Sequence, residues 1–333
     1  MKRPSRRLKK AEFSTVAAKA LSELTQSGGY RAAVLGDPVE HSLSPILHES
    51  GFAAVGLEEW SYGRIRCPEG QLSRLVRSLS TNYVGLSVTM PGKGEALTYA
   101  TEVTDRARLI GSANTLIRIS GRPDVLVGSD DSLGVTQWRA DNTDGVGLLG
   151  SIGELLDGGA RACSEVDRSH RRVRSAVVVG NGGTARAALW ALAHVGCQEV
   201  IIVARSSRAE QLRPLAMALG IALSWTTFED SGWACADAEL LISTVPSLAA
   251  EPYIGLFSRA SAVCDVIYAP WPTPLISRCL EVGTPCVGGI TMLFYQALSQ
   301  FEQFTGREAP SLDMRRALES AAGVPVGRLS SIH

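Results

Sequence analysis

Val177-Val178-Val179-Gly180-Asn181-Gly182-Gly183-Thr184-Ala185-Arg186 is an apolar β-branched run that breaks into glycines and reopens as Ala187-Ala188-Leu189-Trp190-Ala191-Leu192-Ala193. The order is strand, tight turn, helix, and the Gly-x-Gly-x-x-Ala spacing fits a dinucleotide-binding turn. Gly180 permits the turn, Gly182 leaves room for a pyrophosphate against the backbone, and Ala185 lets the helix pack close to the sheet. Asn181, Gly183 and Thr184 complete the turn and the helix start, where orphan N–H groups face phosphates. Glycines also end strands for purely structural reasons. The strand before and the helix after are what favour the cofactor.

The next strand decides which cofactor. Val200-Ile201-Ile202-Val203 ends in Ala204-Arg205-Ser206-Ser207-Arg208. An NAD site places Asp or Glu about 20 residues past the turn, to accept from the ribose 2′-hydroxyl. Here no acid stands. Arg205 and Arg208 instead offer planar donors suited to a 2′-phosphate, with Ser206 and Ser207 as neutral donors. Two solvated arginines opening a surface helix are the plain alternative. NADP(H) is the reading that the missing acid favours.

At 333 residues the chain is long enough for two domains with separate cores. Lys and Arg total 33, Asp and Glu total 33, and this balance suggests neither a nucleic-acid binder nor a membrane-surface protein. No run approaches the roughly 18 apolar residues of a transmembrane helix. Seven cysteines lack C-x-x-C or Cys/His ligand spacing, so neither a disulfide framework nor a metal site is indicated, and a cytoplasmic location is expected. Charge is uneven only at the start, where Lys2, Arg3, Arg6, Arg7, Lys9 and Lys10 crowd together. Glu12, Lys19 and Glu23 interrupt the stretch from Ala11 to Thr25, which therefore lacks the apolar core of a signal peptide. The extension 1–30 reads as a mobile solvated tail; a polyanion contact, a transit peptide and an early translation start are the other readings.

From residue 31 the pattern alternates. Strands are expected at 32–35, 60–65, 83–88 and 115–119, and helices at 45–55, 68–79, 104–110 and 142–156. A polar, glycine-rich stretch at 121–138 reads as a hairpin-like loop, and 157–172 as a charged linker. The cofactor unit comes next, with strands at Val177, Val200, Leu240 and Val263. Final helices at 290–306 and 312–322 lack strand partners and are expected to fold back on the first half. The alternation implies a two-domain α/β fold with parallel sheets.

Four polar clusters punctuate the first half. His41-Ser42-Leu43-Ser44-Pro45 puts two hydroxyls at a helix start, which suits a carboxylate; alone it reads more simply as Ser44 capping, with Pro45 at the first helical position. Ser87-Val88-Thr89-Met90-Pro91-Gly92-Lys93 closes a strand at the end where open α/β sheets hold ligands. Gly111-Ser112-Ala113-Asn114-Thr115 and Asp141-Asn142-Thr143-Asp144-Gly145 each pass individually for a loop or a cap.

In this order the clusters resemble the shikimate dehydrogenase family from Arg31 to about Gly306. The signatures are S-x-S at Ser42 and Ser44, V-T-x-P-x-K from Val88 to Lys93, A-N-T from Ala113 to Thr115, and N-T-D-G from Asn142 to Gly145. The cofactor turn, the segment Tyr268-Ala269-Pro270-Trp271-Pro272-Thr273-Pro274-Leu275 and the run Met292-Leu293-Phe294-Tyr295-Gln296 continue it. The resemblance implies an oxidoreductase that interconverts 3-dehydroshikimate and shikimate with NADP(H), in the shikimate pathway of chorismate and aromatic amino-acid biosynthesis. It implies a substrate domain at 31–145 and 289–333 and a Rossmann-like NADP-binding domain at 146–288, with the active site in the cleft between them. Lys93 and Asp144 then form the catalytic pair, and Ser42 and Ser44 hold the substrate carboxylate. Thr89, Asn114 and Gln296 bind ring hydroxyls, and Ser87 and Tyr268 also belong to the substrate site. Gly180, Gly182 and Gly183 cradle the pyrophosphate and Arg205 meets the 2′-phosphate, while Thr244, Val266 and Gly289 match positions beside the nicotinamide half.

The chain departs from the family where Ser87 replaces an Asn, Ala204 an Asn, Val266 a Met and Thr291 a Gly. Two rival readings remain: a quinate/shikimate dehydrogenase of the same superfamily, often NAD-dependent, and a metabolite sensor without turnover. Arg205 argues against the first, and the intact Lys93 and Asp144 against the second. The expected partner is a small-molecule substrate, in a monomer or a homodimer.

Overall fold

The computed structural model describes residues 29–120, 137–157 and 173–329. The basic extension up to residue 28, the loop at 121–136 and the linker at 158–172 lie outside the described residues.

Two six-stranded sheets organise the chain. The strands of the first are β1 (Arg31–Gly36), β2 (Ser61–Arg66), β3 (Tyr83–Val88), β4 (Glu102–Val103), β5 (Thr115–Arg118) and β6 (Trp138–Asp141), in the order β2-β1-β3-β5-β6-β4. β1 pairs parallel with β2 and β3, but β5 runs antiparallel to both β3 and β6. The expectation of wholly parallel sheets is therefore corrected. β5 and β6 are consecutive strands that pair directly, and such pairs need no crossover.

The second sheet is parallel throughout. Its strands are β7 (Ser175–Val179), β8 (Glu199–Val203), β9 (Ala222–Thr226), β10 (Leu240–Ser243), β11 (Val263–Asp265) and β12 (Cys286–Val287), in the order β12-β11-β10-β7-β8-β9. The chain winds outward from β7 in one direction, then from β10 in the other. A crevice opens at that switch point, outside the carboxyl ends of β7 and β10.

Two long helices tie the sheets together. Asp144–Asp157 and Gly289–Thr305 pack on each other. Leu148, Ile152 and Met292 join Val178, Leu189 and Ile202 in the core under the second sheet. Phe294, Phe301 and Phe304 join Val34, Leu47 and Val84 under the first. The helix Gly289–Thr305 thus has a face in each core, and each buried Phe is worth roughly 1.5–3 kcal/mol. The last helix, Ser311–Ala322, lays Met314 and Leu318 onto the helix Ser44–Ala54.

Some boundaries differ from the sequence reading. The helix expected from residue 68 begins at Leu72, after Gly70 takes a positive φ of 77°. Glu95, from a helix at Lys93–Tyr99 that the sequence reading missed, accepts from the Gly70 and Leu72 amides at 2.7 and 3.2 Å and so closes that helix start. Strands β4, β6, β9 and β12 were missed as well. Among the described residues no helix is long and apolar enough to cross a membrane.

Candidate active site

Lys93 and Asp144 each open a helix, and Lys93 Nζ donates to Asp144 Oδ2. The side chains are 17% and 6% exposed, which shields the pair and still leaves the ammonium reachable. The carboxylate also suits its place at a positive helix end. Its second oxygen, Oδ1, accepts from Asn114 Nδ2 at 2.8 Å. Asn114 Oδ1 in turn accepts the Thr143 amide at 2.7 Å, and Asn142 Oδ1 accepts the Asp144 amide at 3.1 Å. Asn142 Nδ2 reaches Ser112 O and Oγ at 2.9 and 3.1 Å. The asparagines at 114 and 142 therefore clamp Asp144 from two sides.

Gln296 stands behind this clamp. Its Oε1 lies 3.4 Å from both Asn114 Nδ2 and Thr143 Oγ1, and its Nε2 donates to Leu293 O at 3.0 Å. One turn on, fully buried Gln300 donates to Asn114 O at 3.1 Å and to Thr115 Oγ1 at 2.9 Å. Its Oε1 accepts from Ser87 Oγ at 2.6 Å, and Ser87 accepts from Tyr62 Oη at 2.6 Å. Sequence reasoning missed Gln300 and Tyr62. The i, i+4 spacing from Gln296 was the available signal for Gln300.

The serine loop corrects the simple capping reading. Ser44 is the first helical residue rather than the cap; Leu43 takes that position and offers no side-chain bond. Ser42 Oγ accepts the Ser44 amide at 3.3 Å and donates to Ser44 Oγ at 3.2 Å. Two hydroxyls therefore meet at the helix N-terminus, where the macrodipole favours an anion. Arg64, also missed, donates to Ser42 O through Nη2 and Nε at 2.6 and 3.1 Å. It brings an exposed cation beside the loop. One turn along, His48 is buried against Tyr62, with ring centroids 4.3 Å apart. Burial pushes its imidazole down to about 3, so it stays neutral. Thr89 anchors its own segment by donating its amide to Leu35 O at 2.8 Å.

At the crevice of the second sheet, Gly180 has φ +107°, and a Cβ there would stand 2.5 Å from Thr244 Oγ1. Thr244 donates its hydroxyl to Val179 O at 2.7 Å, so it shapes the turn. Gly182 caps the helix Gly183–His194, and a Cβ on it would meet nothing within 4 Å. A cleft of about 310 Å³ runs from Gly180, Asn181 and Gly182 past Ala204 and Arg205 to Phe228, Thr244, Val245, Pro246 and Ala249. Arg205 and Arg208 are exposed, Ser206 Oγ accepts the Arg208 amide at 3.5 Å, and Ala185 is buried. Thr184 is half-buried. On the other side of the crevice, a Cβ on Gly289 would sit 2.1 Å from Val266 O, so only glycine allows this contact. Half-buried Tyr268 reaches across to the core of the first sheet.

Comparison with known proteins decides the family. Residues 34–116 match the model of the shikimate dehydrogenase substrate binding domain, and residues 289–319 that of the shikimate 5'-dehydrogenase C-terminal domain. The NADP(+) shikimate dehydrogenase of Dinoroseobacter shibae is 33% identical over 282 residues, covering 83% of this chain and 91% of the relative. The chain belongs to the shikimate dehydrogenase family. Among solved structures, Mycobacterium tuberculosis shikimate dehydrogenase is 38% identical, with a TM-score of 0.75 over 87% of this chain and 99% of its own. Thermus thermophilus shikimate 5-dehydrogenase, solved in complex with NADP(H) and shikimate, is 27% identical with a TM-score of 0.68, covering 88% of this chain and 99% of its own. The shikimate dehydrogenase fold therefore spans most of the chain.

Proposed function

We propose that this chain is an NADP-dependent shikimate dehydrogenase that reversibly reduces 3-dehydroshikimate to shikimate. The observation that carries this reading is the Lys93–Asp144 pair, clamped by Asn114 and Asn142 and linked through Ser112 to the start of the cofactor helix. The cofactor turn fits the assigned ligand. Gly182 opens onto free space at a helix N-terminus, and Arg205 lines the same cleft with no acid in the place an NAD site needs one.

NADP(H), when bound, supplies the hydride chemistry. Gly180, Asn181, Gly182, Gly183 and Thr184 would hold its pyrophosphate, Arg205, Ser206 and Arg208 its 2′-phosphate, and Val266 and Gly289 would flank its nicotinamide half. Ser42 and Ser44 bind the substrate carboxylate, with Tyr268 across the cleft. Ser87, Thr89, Asn114 and Gln296 surround the ring hydroxyls. Reduction of a ketone leaves charge on its oxygen, and Lys93 both stabilises that charge and delivers the proton. Asp144 orients the ammonium and takes part in returning the proton. In the reverse direction Lys93 accepts it.

In this reading the substrate domain comprises 31–145 and 289–333, the NADP domain comprises 146–288, and the enzyme works in the cytoplasm as a monomer or a homodimer. The test is an assay of shikimate oxidation with NADP+, run beside quinate and beside NAD+. Turnover with shikimate and NADP+ is expected. A preference for quinate would favour the sister activity, and no turnover with any pair would sink the enzyme reading.

A further inference from the structure

We infer that Arg186 is a positioning residue: it ties the cofactor-binding turn to the segment that holds the catalytic pair. The inference rests on the functional reading above and concerns a residue to which that reading gives no task.

Arg186 is the fourth residue of the helix Gly183–His194, directly after the Ala that closes the cofactor turn. A positive charge in the first turn of a helix opposes the macrodipole. The side chain is also half-buried, its pKa is lowered by desolvation, and among the described residues no carboxylate pairs with it. What it does engage belongs to the first half of the chain, in the segment just before β5. Arg186 Nε donates to the Ile110 carbonyl, at the C-terminus of the helix Asp105–Ile110, where a cation is favoured. Gly111 comes next with φ +75°, and a Cβ there would stand 2.7 Å from Arg186 Nη2. The guanidinium therefore rests on the chain at a residue with no side chain to move it.

The next two residues carry the link to the catalytic pair. Ser112 accepts from Asn142 Nδ2 through both O and Oγ, and Asn142 Oδ1 accepts the Asp144 amide. The Ala113 amide donates to Lys93 O at 3.0 Å. Residues 110–113 thus touch the backbone of Lys93 and, through Asn142, that of Asp144. Ser112 Oγ also lies 3.6 Å from where a Gly183 Cβ would stand, so this segment abuts the cofactor turn directly. A displacement of the turn relative to residues 110–113 becomes a displacement of the proton donor relative to the hydride path. Misplacement by about 1 Å can cost on the order of 10²-fold in rate.

The experiment compares wild type with Arg186→Met, Arg186→Lys and Ser112→Ala, using NADPH and its 4-deuterated form. Arg186→Met should lower kcat by roughly 10- to 100-fold while both KM values stay within about threefold. Its deuterium isotope effect on kcat should rise, because hydride transfer becomes the slow step. Arg186→Lys, which keeps a donor for Ile110 O, should recover most of the loss, and Ser112→Ala should fall between. A kcat within about twofold of wild type in Arg186→Met overturns the inference. So does a loss confined to the KM for NADPH, which would make Arg186 a phosphate ligand, and so does a loss with an unchanged isotope effect that tracks a lowered Tm. A readout independent of turnover separates this inference from the functional one. NADP+ should slow amide hydrogen exchange at residues 110–114 in wild type and not in Arg186→Met. Absent protection in wild type overturns the Arg186 role even in an active enzyme. Protection without shikimate turnover overturns the functional reading instead.

Discussion

Asn114 donates to Asp144 Oδ1 at 2.8 Å, and this bond leaves the other carboxylate oxygen to Lys93. The asparagine thereby fixes which way the carboxylate faces, and through it where the ammonium sits. Asn114 is itself held at Oδ1 by Thr115 Oγ1 at 2.8 Å and by the Thr143 amide at 2.7 Å. Buried polar groups so fully engaged hold one orientation, because leaving any of them unpaired is costly.

For the pair itself, Lys93→Ala should cut kcat by on the order of 10²–10⁴, with a much smaller change in KM for shikimate. Asp144→Asn should also lower kcat, and the double variant should fall little below Lys93→Ala if the two act as a unit. Steady-state kinetics on variants with native circular dichroism measures this. Near-normal kcat in Lys93→Ala would overturn the mechanism.

Asn114→Ala should lower kcat by about 10- to 100-fold, since it frees Asp144 without removing either charge. It should lose stability too, because the Thr143 amide and Thr115 Oγ1 lose their shared acceptor, Asn114 Oδ1. Asn114→Asp places a second carboxylate against Asp144 and should be worse than alanine for activity. Equal kcat in wild type and Asn114→Ala would leave Asp144 oriented by Lys93 alone.

Legibility tracked local pattern and failed where contacts are distant. The run 177–179 reads as a strand because it is buried on both faces of a parallel sheet, which demands an unbroken apolar stretch. Ala222-Leu223-Ser224-Trp225-Thr226 is an edge strand, half-exposed and half-polar, so it lacks that signal. β12 is two residues long, too short for any period to show. In the site, Lys93 and Asp144 stand 51 residues apart and became legible only through the order of motifs. Gln300 stayed hidden because Ser87 and Asn114, its partners, lie 213 and 186 residues away. The antiparallel β5 was hidden for a related reason: direction within a sheet is set by the connection, which side-chain periodicity does not encode.

Cofactor choice should rest on Arg205. It lines the cleft beside Ala204, and its exposed guanidinium is ready for a charge-assisted contact. Arg205→Ala should reduce kcat/KM with NADP+ by about 10- to 100-fold and leave the value with NAD+ within about threefold. Measuring both cofactors on both proteins tests it. A variant that keeps the wild-type preference would return Arg205 to the solvated surface.

The serine loop makes a narrower claim. Ser44→Ala or Ser42→Ala should raise KM for shikimate by roughly 10- to 150-fold, the worth of about 1.5–3 kcal/mol for a hydrogen bond to a charged group. KM for NADP+ should move little. Helix stability should also change little for Ser44→Ala, since no side-chain cap is lost. Unchanged shikimate affinity in both variants would remove the loop from the substrate site.

The last prediction concerns Asp265, at the end of β11. It is 2% exposed, accepts from Thr273 Oγ1 at 2.6 Å and from the Ile267 amide at 3.2 Å, and so anchors the loop that carries Val266 and Tyr268. Burial raises its pKa from 3.8 to about 6, against the opposing pull of those hydrogen bonds. Between these values the folded state binds more protons than the unfolded one. Stability therefore falls as pH rises through this window, by on the order of 2–3 kcal/mol, and then levels off. Asp265→Asn removes the titrating group while keeping an acceptor for the Ile267 amide. Denaturant unfolding of both proteins from pH 4 to pH 8 isolates the effect. The stability of wild type relative to Asp265→Asn should decline from low to neutral pH, with its steepest part near pH 5, midway between the two values. A difference that stays flat across the range would mean that Asp265 is ionised in the folded state throughout, with its charge compensated by the surrounding donors.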